Sequence, residues 1–71
     1  MQVVKHDRVN PLTNPVSPGD IVIAKSGERY IIRDNMKCEY WLEHAASGFK
    51  LTYPVSGQIA LCRQIADLAN I

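Results

Sequence analysis

Charge of one sign is what this chain most plainly lacks: eight Lys and Arg against seven Asp and Glu leave a net charge of +1, far from the basic footprint of a protein that grips many phosphates. Composition thereby gives nucleic-acid binding no support. Cysteine is scarce as well. Cys38 and Cys62 show no C-x-x-C spacing and stand close to neither His6 nor His44, so no zinc pattern forms. Both cysteines lie in apolar runs, where free Cys commonly acts as a small hydrophobe, and a single disulfide is the weaker reading. No apolar run approaches the roughly 20 residues that span a bilayer. The polar start Met1-Gln2-Val3-Val4-Lys5-His6-Asp7-Arg8 is not a signal peptide, and the expected location is the cytoplasm of a bacterium or of a cell carrying its plasmid or phage. Catalytic motifs are absent too: no nucleophile elbow, phosphate-binding glycine loop, His-Glu-x-x-His or paired metal-ligand spacing occurs. No catalytic residue, metal ligand or cofactor is therefore assigned, and a non-enzyme is expected.

Seventy-one residues and 8.0 kDa make one domain, since independent domains seldom fall below about 50 residues. Such a chain buries only about 60% of its unfolded surface, so its stability margin is thin and an oligomer would fold more safely than a monomer. A hydrophobic fraction of 46% and a charged fraction of 21% are ordinary for a folded soluble domain.

Residues 1–19 hold all but one of the prolines (Pro11, Pro15, Pro18) together with Asn10 and Asn14, a composition that favours extended or turning backbone. This reads as an N-terminal proline-rich arm, with Val3, Val4, Val9, Leu12 and Val16 available to dock it on a β domain over residues 20–71. From Gly19 the chain alternates, and register decides which side chains share a face. A Ser26-Gly27 turn sets Ile23 opposite Tyr30 and Ile21 opposite Ile32. A three-residue Asp34-Asn35-Met36 loop pairs Ile32 with Cys38 and Tyr30 with Tyr40, keeping apolar groups together. A turn through Ala45-Ala46-Ser47-Gly48 then sets His44 against Phe49, Leu42 against Leu51 and Tyr40 against Tyr53.

The tail admits two readings. Ile59, Leu61, Cys62, Ile65, Ala66, Leu68 and Ala69 follow a helix-like spacing, with Ser56 as a cap, and Leu61, Ile65 and Leu68 would then be core. A short fifth strand over 59–64 fits equally, interrupted only by Arg63. The strand is preferred, because a four-strand meander with a tight turn after its last strand commonly closes into a small barrel.

Pro18-Gly19-Asp20-Ile21-Val22, then Lys25-Ser26-Gly27, then Leu51-Thr52-Tyr53-Pro54-Val55 resembles bacterial small barrels of the Src-homology-3-like type over about half the chain. The nearest pattern is that of plasmid-borne type II dihydrofolate reductases, which are tetramers binding folate and nicotinamide cofactor in a central pore. Where their pore motif reads valine, glutamine, isoleucine, tyrosine, this chain has Lys50-Leu51-Thr52-Tyr53 and keeps only the tyrosine. The resemblance implies a mainly β, Src-homology-3-like barrel; function lives in the site rather than the fold.

The same register turns Trp41 outward, with Arg29 opposite it on one side and Thr52 on the other, Glu43 facing Lys50, and Val22 facing Ile31. Arg29 over the indole would be a cation–π contact, and a Trp beside Arg and β-branched groups is the composition of interface hot spots. Arg29, Ile31, Trp41, Lys50 and Thr52 are therefore the candidate binding residues. The competing use of this face is a second small core under the arm. The partners it suits are another protein or a second copy of the chain, and single-stranded nucleic acid is disfavoured by Glu39 and Glu43 on the same strand face. Cys38 and His44 lie six residues apart on one strand, too far for a thiol–imidazole pair, and read as core and barrel rim.

Overall fold

The structure, a computed structural model, describes residues 1–51 and 53–70. Five strands form one open mixed sheet in chain order: β1 (Val3–Lys5), β2 (Ile21–Ile23), β3 (Arg29–Asp34), β4 (Glu39–His44) and β5 (Val55–Ser56). One helix follows, α1 (Gln58–Ala66), and continues into a 3-10 turn over Asp67–Asn70. The chain is mainly β, as its alternation predicts. The described sheet is open rather than closed into a barrel, and the expected strand at 59–64 is a helix.

Arg63 explains the helical tail. A strand would aim Leu61, Arg63 and Ile65 at one face. A helix stacks Leu61, Ile65 and Leu68 together and turns Arg63 away. Leu61, Ile65 and Leu68 are all fully buried, in one cluster with Val22, Ile32 and Leu42 of the sheet. Gly57 starts the helix at φ 85° without a side-chain cap, and Ser56 does not serve as one. Gln58 instead turns its amide to the N-terminal segment, where its Nε2 donates to the Val16 carbonyl at 2.8 Å and its Oε1 accepts the Val16 amide at 3.3 Å.

The first hairpin corrects the expected register by one position. The Ala24 amide donates to the Glu28 carbonyl at 2.8 Å and the Gly27 amide to the Ala24 carbonyl at 2.9 Å, so the turn is Lys25-Ser26-Gly27, with Gly27 at φ 93°. Three-residue hairpin loops characteristically end on such a left-handed residue. Ile21 now faces Ile31, Val22 faces Tyr30 and Ile23 faces Arg29. An odd slip turns the whole strand over: Val22 and Ala24 enter the core beside Tyr30 and Ile32, and Ile21 and Ile23 move to the outer face.

The second hairpin keeps a three-residue loop but moves it along the chain. The Asn35 amide bonds the Glu39 carbonyl at 3.3 Å, leaving Met36-Lys37-Cys38 as the loop. Asn35 closes it from the side, its Oδ1 accepting the Lys37 amide at 3.0 Å and its Nδ2 donating to Glu39 Oε1 at 2.7 Å. Tyr30 therefore pairs with His44, Ile32 with Leu42, Arg33 with Trp41 and Asp34 with Tyr40. The shift from the expected pairing is even, so faces survive while partners change. Cys38 is the exception: it sits exposed in the loop at φ 62° instead of in the core.

The third hairpin forms as the sequence predicts. The Gly48 amide donates to the His44 carbonyl at 2.8 Å, and the His44 amide to the Phe49 carbonyl at 2.7 Å. Glu43 bridges to Lys50. Past Leu51 the pairing skips two positions, so that Tyr40 meets Val55 and Tyr53 is left 74% exposed.

Residues 1–19 are built into the fold. β1 pairs parallel with β2, Val3 to Ile21 and Lys5 to Ile23, and parallel neighbours require a long crossover. Residues 6–20 supply it, tightened where Asn10 Oδ1 accepts the Leu12 amide at 2.8 Å and the Thr13 amide at 3.2 Å. Val4 and Val16 are buried and Val9 packs against the same core.

Candidate functional site

Because α1 and the crossover both pack on one face of the sheet, the other face is left, among the described residues, to the sheet's own side chains. Its registers place Val3, Ile21, Ile31, Glu43 and Lys50 in one row across the strands. Lys5, Ile23 and Arg29 form a second row, and Arg33 and Trp41 a third. Ile21, Ile23, Ile31 and Trp41 are each half-buried, while Val3 at the edge is 52% exposed. The outer face is an aliphatic strip with cations on either side of it.

Trp41 lies on this face as the alternation predicts, but its neighbours differ. The cation over the indole is Lys50, with Nζ 4.5 Å from the ring centroid. Arg29 faces Ile23 instead, and Arg33 takes the position across from Trp41, because the loop at 36–38 moved the pairing by an even step. Arg33 Nε lies 3.7 Å from Glu43 Oε1, so one of the face's acids is partly matched. The indole Nε1 is buried with no acceptor among the described residues, and a donor left unsatisfied in this way costs about 1–3 kcal/mol. Ile31 is where it was expected; Thr52 lies outside the described residues. Val3, Lys5, Ile21, Ile23 and Arg33 belong to the surface and were not singled out from sequence. A three-residue first turn, legible in Gly27 at its last position, would have turned Ile21 and Ile23 outward.

A second constellation sits at one end of the sheet, beside an open groove of about 510 Å³ lined by Glu28, Arg29, His44 and Ala45. His44 is half-buried and packs edge-on against Tyr30 at 5.4 Å. Its Nε2 meets Glu28 Oε2. Its Nδ1 accepts the Ser47 amide at 3.2 Å and lies 3.1 Å from Ser47 Oγ. A backbone amide can only donate, so Nδ1 carries the lone pair and Nε2 the hydrogen that points to Glu28. Serine, imidazole and carboxylate stand in series, yet the amides of Ser47, Gly48 and Phe49 are all engaged within the turn and offer no oxyanion donors. This arrangement closes the third hairpin.

Asp20 is the most buried charged residue, 6% exposed. Its carboxylate accepts the Gln2 amide at 3.0 Å, the Gln2 side-chain amide at 3.0 Å and the Ser17 amide at 2.9 Å. Burial pushes its pKa up, but these bonds and the N-terminal ammonium outweigh burial and hold the carboxyl below its ordinary value. The cysteines are free, and burial pushes the Cys62 thiol up, away from reactivity. Among the described residues no cluster of three or more His, Cys, Asp or Glu could hold a metal ion. No helix among them is long and apolar enough to cross a membrane. Comparison with family models, with curated proteins and with solved structures finds no match to this chain.

Proposed function

We propose that this chain is a non-catalytic binding module, which contacts another protein or a second copy of itself through the outer face of its sheet. The observation that carries the reading is the one-sided fold: helix and crossover cover the same face, and Val3, Ile21, Ile23, Ile31 and Trp41 remain on the other. In use the module resembles Src-homology-3-like units, a small meander that presents one surface. A partner would cover the aliphatic strip and the exposed part of the indole and exclude water from both. Arg29, Arg33 and Lys50 at the rim would fix its orientation, since rim charges act on encounter and register more than on affinity.

Single-stranded nucleic acid is the less supported reading. Base stacking needs an open ring face, and Lys50 already lies over the indole. Catalysis is less supported again, because the Ser47, Gly48 and Phe49 amides beside His44 are spent within the turn and form no oxyanion hole.

The test compares the wild type with Ile31→Glu, which places a charge in the strip, and with Ile59→Glu on the exposed side of α1. Sedimentation reports self-association, and retention of proteins from the native cell extract reports hetero-association. The expected result is loss of association in Ile31→Glu alone, with both variants melting like the wild type. Equal association by all three proteins overturns the reading.

A further inference from the structure

The outer face carries half of the chain's cations and few of its acids. Lys5, Arg29, Arg33 and Lys50 lie on it, against Glu39 and Glu43. The acids are already engaged, Glu43 with Arg33 at 3.7 Å and Glu39 with Asn35 at 2.7 Å. Lys5 and Arg29 make no ion pair among the described residues, and Lys50 rests on the indole. The cations are spaced around the aliphatic strip rather than gathered in a patch: Lys5 and Arg29 flank Ile23 in one row, Arg33 and Lys50 stand beside Trp41 at the other end.

We infer that the partner's contacting segment is acidic and amphipathic, an extended or helical peptide whose apolar side chains cover Ile21, Ile31 and Trp41 while its carboxylates meet Lys5, Arg29 and Lys50. The inference rests on the outer face being the contact surface, and it names the chemistry of what sits there. Charge complementarity selects this occupant over a second copy, which would bring the same four cations against themselves, and like charges brought together at an interface suppress the pairing. It also selects peptide over nucleic acid. The centre of the face is aliphatic and offers no platform for bases, whereas leucine-like side chains fit it by simple burial.

The chain has a single tryptophan, and it lies within the proposed contact, so its fluorescence reports occupancy directly. The probes are a peptide alternating Glu and Leu, the same peptide with Lys for Glu, and an oligothymidylate of about ten nucleotides. The expected result is a saturable change with the acidic peptide, none with the basic one, and affinity falling as salt rises. The double variant Lys5→Glu, Arg29→Glu should bind the acidic peptide about tenfold more weakly, a loss of about 1.4 kcal/mol, and Ile31→Glu should abolish binding. Thermal melting of each variant shows whether the fold is kept; Lys5→Gln, Arg29→Gln replaces the reversal should it unfold. Tight binding of the basic peptide or of the oligothymidylate overturns the inference, and so does indifference to all three probes. If the acidic peptide fails while Ile31→Glu still loses its extract partner, the acidic chemistry is wrong and the surface stands. If rim reversal alone abolishes peptide binding and Ile31→Glu does nothing, the contact is bulk electrostatics and both readings fall.

Discussion

Asp20 should be the costliest polar residue to remove, and Asp20→Ala measures how firmly the N-terminal segment is tied to the sheet. The substitution strands the Gln2 and Ser17 amides and one hydrogen of the Gln2 side chain. Hydrogen bonds to a charged group contribute about 1.5–3 kcal/mol each; with Gln2 only partly buried, water recovers some of that, and the net loss should be about 3 kcal/mol. For a domain of this size that lowers the melting temperature by about 12–24 °C. Urea unfolding followed by circular dichroism gives the free energy, and Asp20→Asn, which keeps one acceptor, should lose about half as much. The pH dependence has a fixed sign. Because the folded pKa lies below the unfolded one, the Asp20 contribution is complete above the ordinary carboxylate range and fades as pH falls through the lowered folded value. Wild type and Asp20→Ala should therefore converge in stability toward strong acid. A loss under about 1 kcal/mol, or a gap between the two proteins that persists in acid, would show that the carboxylate anchors nothing.

Two further substitutions test the layers on either side of the sheet. Leu61→Ala should cost about 2–5 kcal/mol by urea titration, because Leu61 is wholly enclosed between α1 and the sheet; a loss under about 1 kcal/mol would mean that α1 is peripheral. Trp41→Phe removes a buried donor that has no acceptor among the described residues along with part of a ring, so its cost should stay under about 1 kcal/mol, and a much larger loss in the isolated protein would show that the indole is structural.

Much of this fold is legible in the sequence because parity is robust. The outward position of Trp41 and Ile31 and the inward position of Tyr30, Ile32 and Leu42 follow from alternation alone and survive an even error in loop placement. Partner identity does not survive it. The arithmetic that paired Arg29 with Trp41 depends on which three residues form the loop, and Asn35 decided that by capping from outside the loop rather than lying within it. The one odd error, at the first turn, inverted β2 entirely, which is why Ile21 and Ile23 were missing from the candidate surface and Val22 was placed on it. The helix at the end of the chain was equally readable in the 61, 65, 68 spacing; the preference for a strand came from a barrel that the open sheet does not close.

What distinguishes the outer face from an ordinary solvated one is Trp41 more than the isoleucines. Ile21, Ile23 and Ile31 need no functional explanation, since β-branched side chains suit strand backbone wherever they point, and each loses part of its exposure to its cross-strand neighbours. Trp41 is half-buried as they are, but a smaller β-former would satisfy the strand, fit beneath Lys50 and leave no polar atom unpaired. The indole keeps its polar atom enclosed and without an acceptor among the described residues, and the part of its ring that stays exposed is apolar surface that a partner can cover. The covering segments sharpen the point. α1 spans only about 14 Å at 1.5 Å per residue, and the crossover places Val9 and Val16 on the face that α1 already covers. Among the described residues, helix and crossover are therefore committed to the same side, and the tryptophan sits on the other.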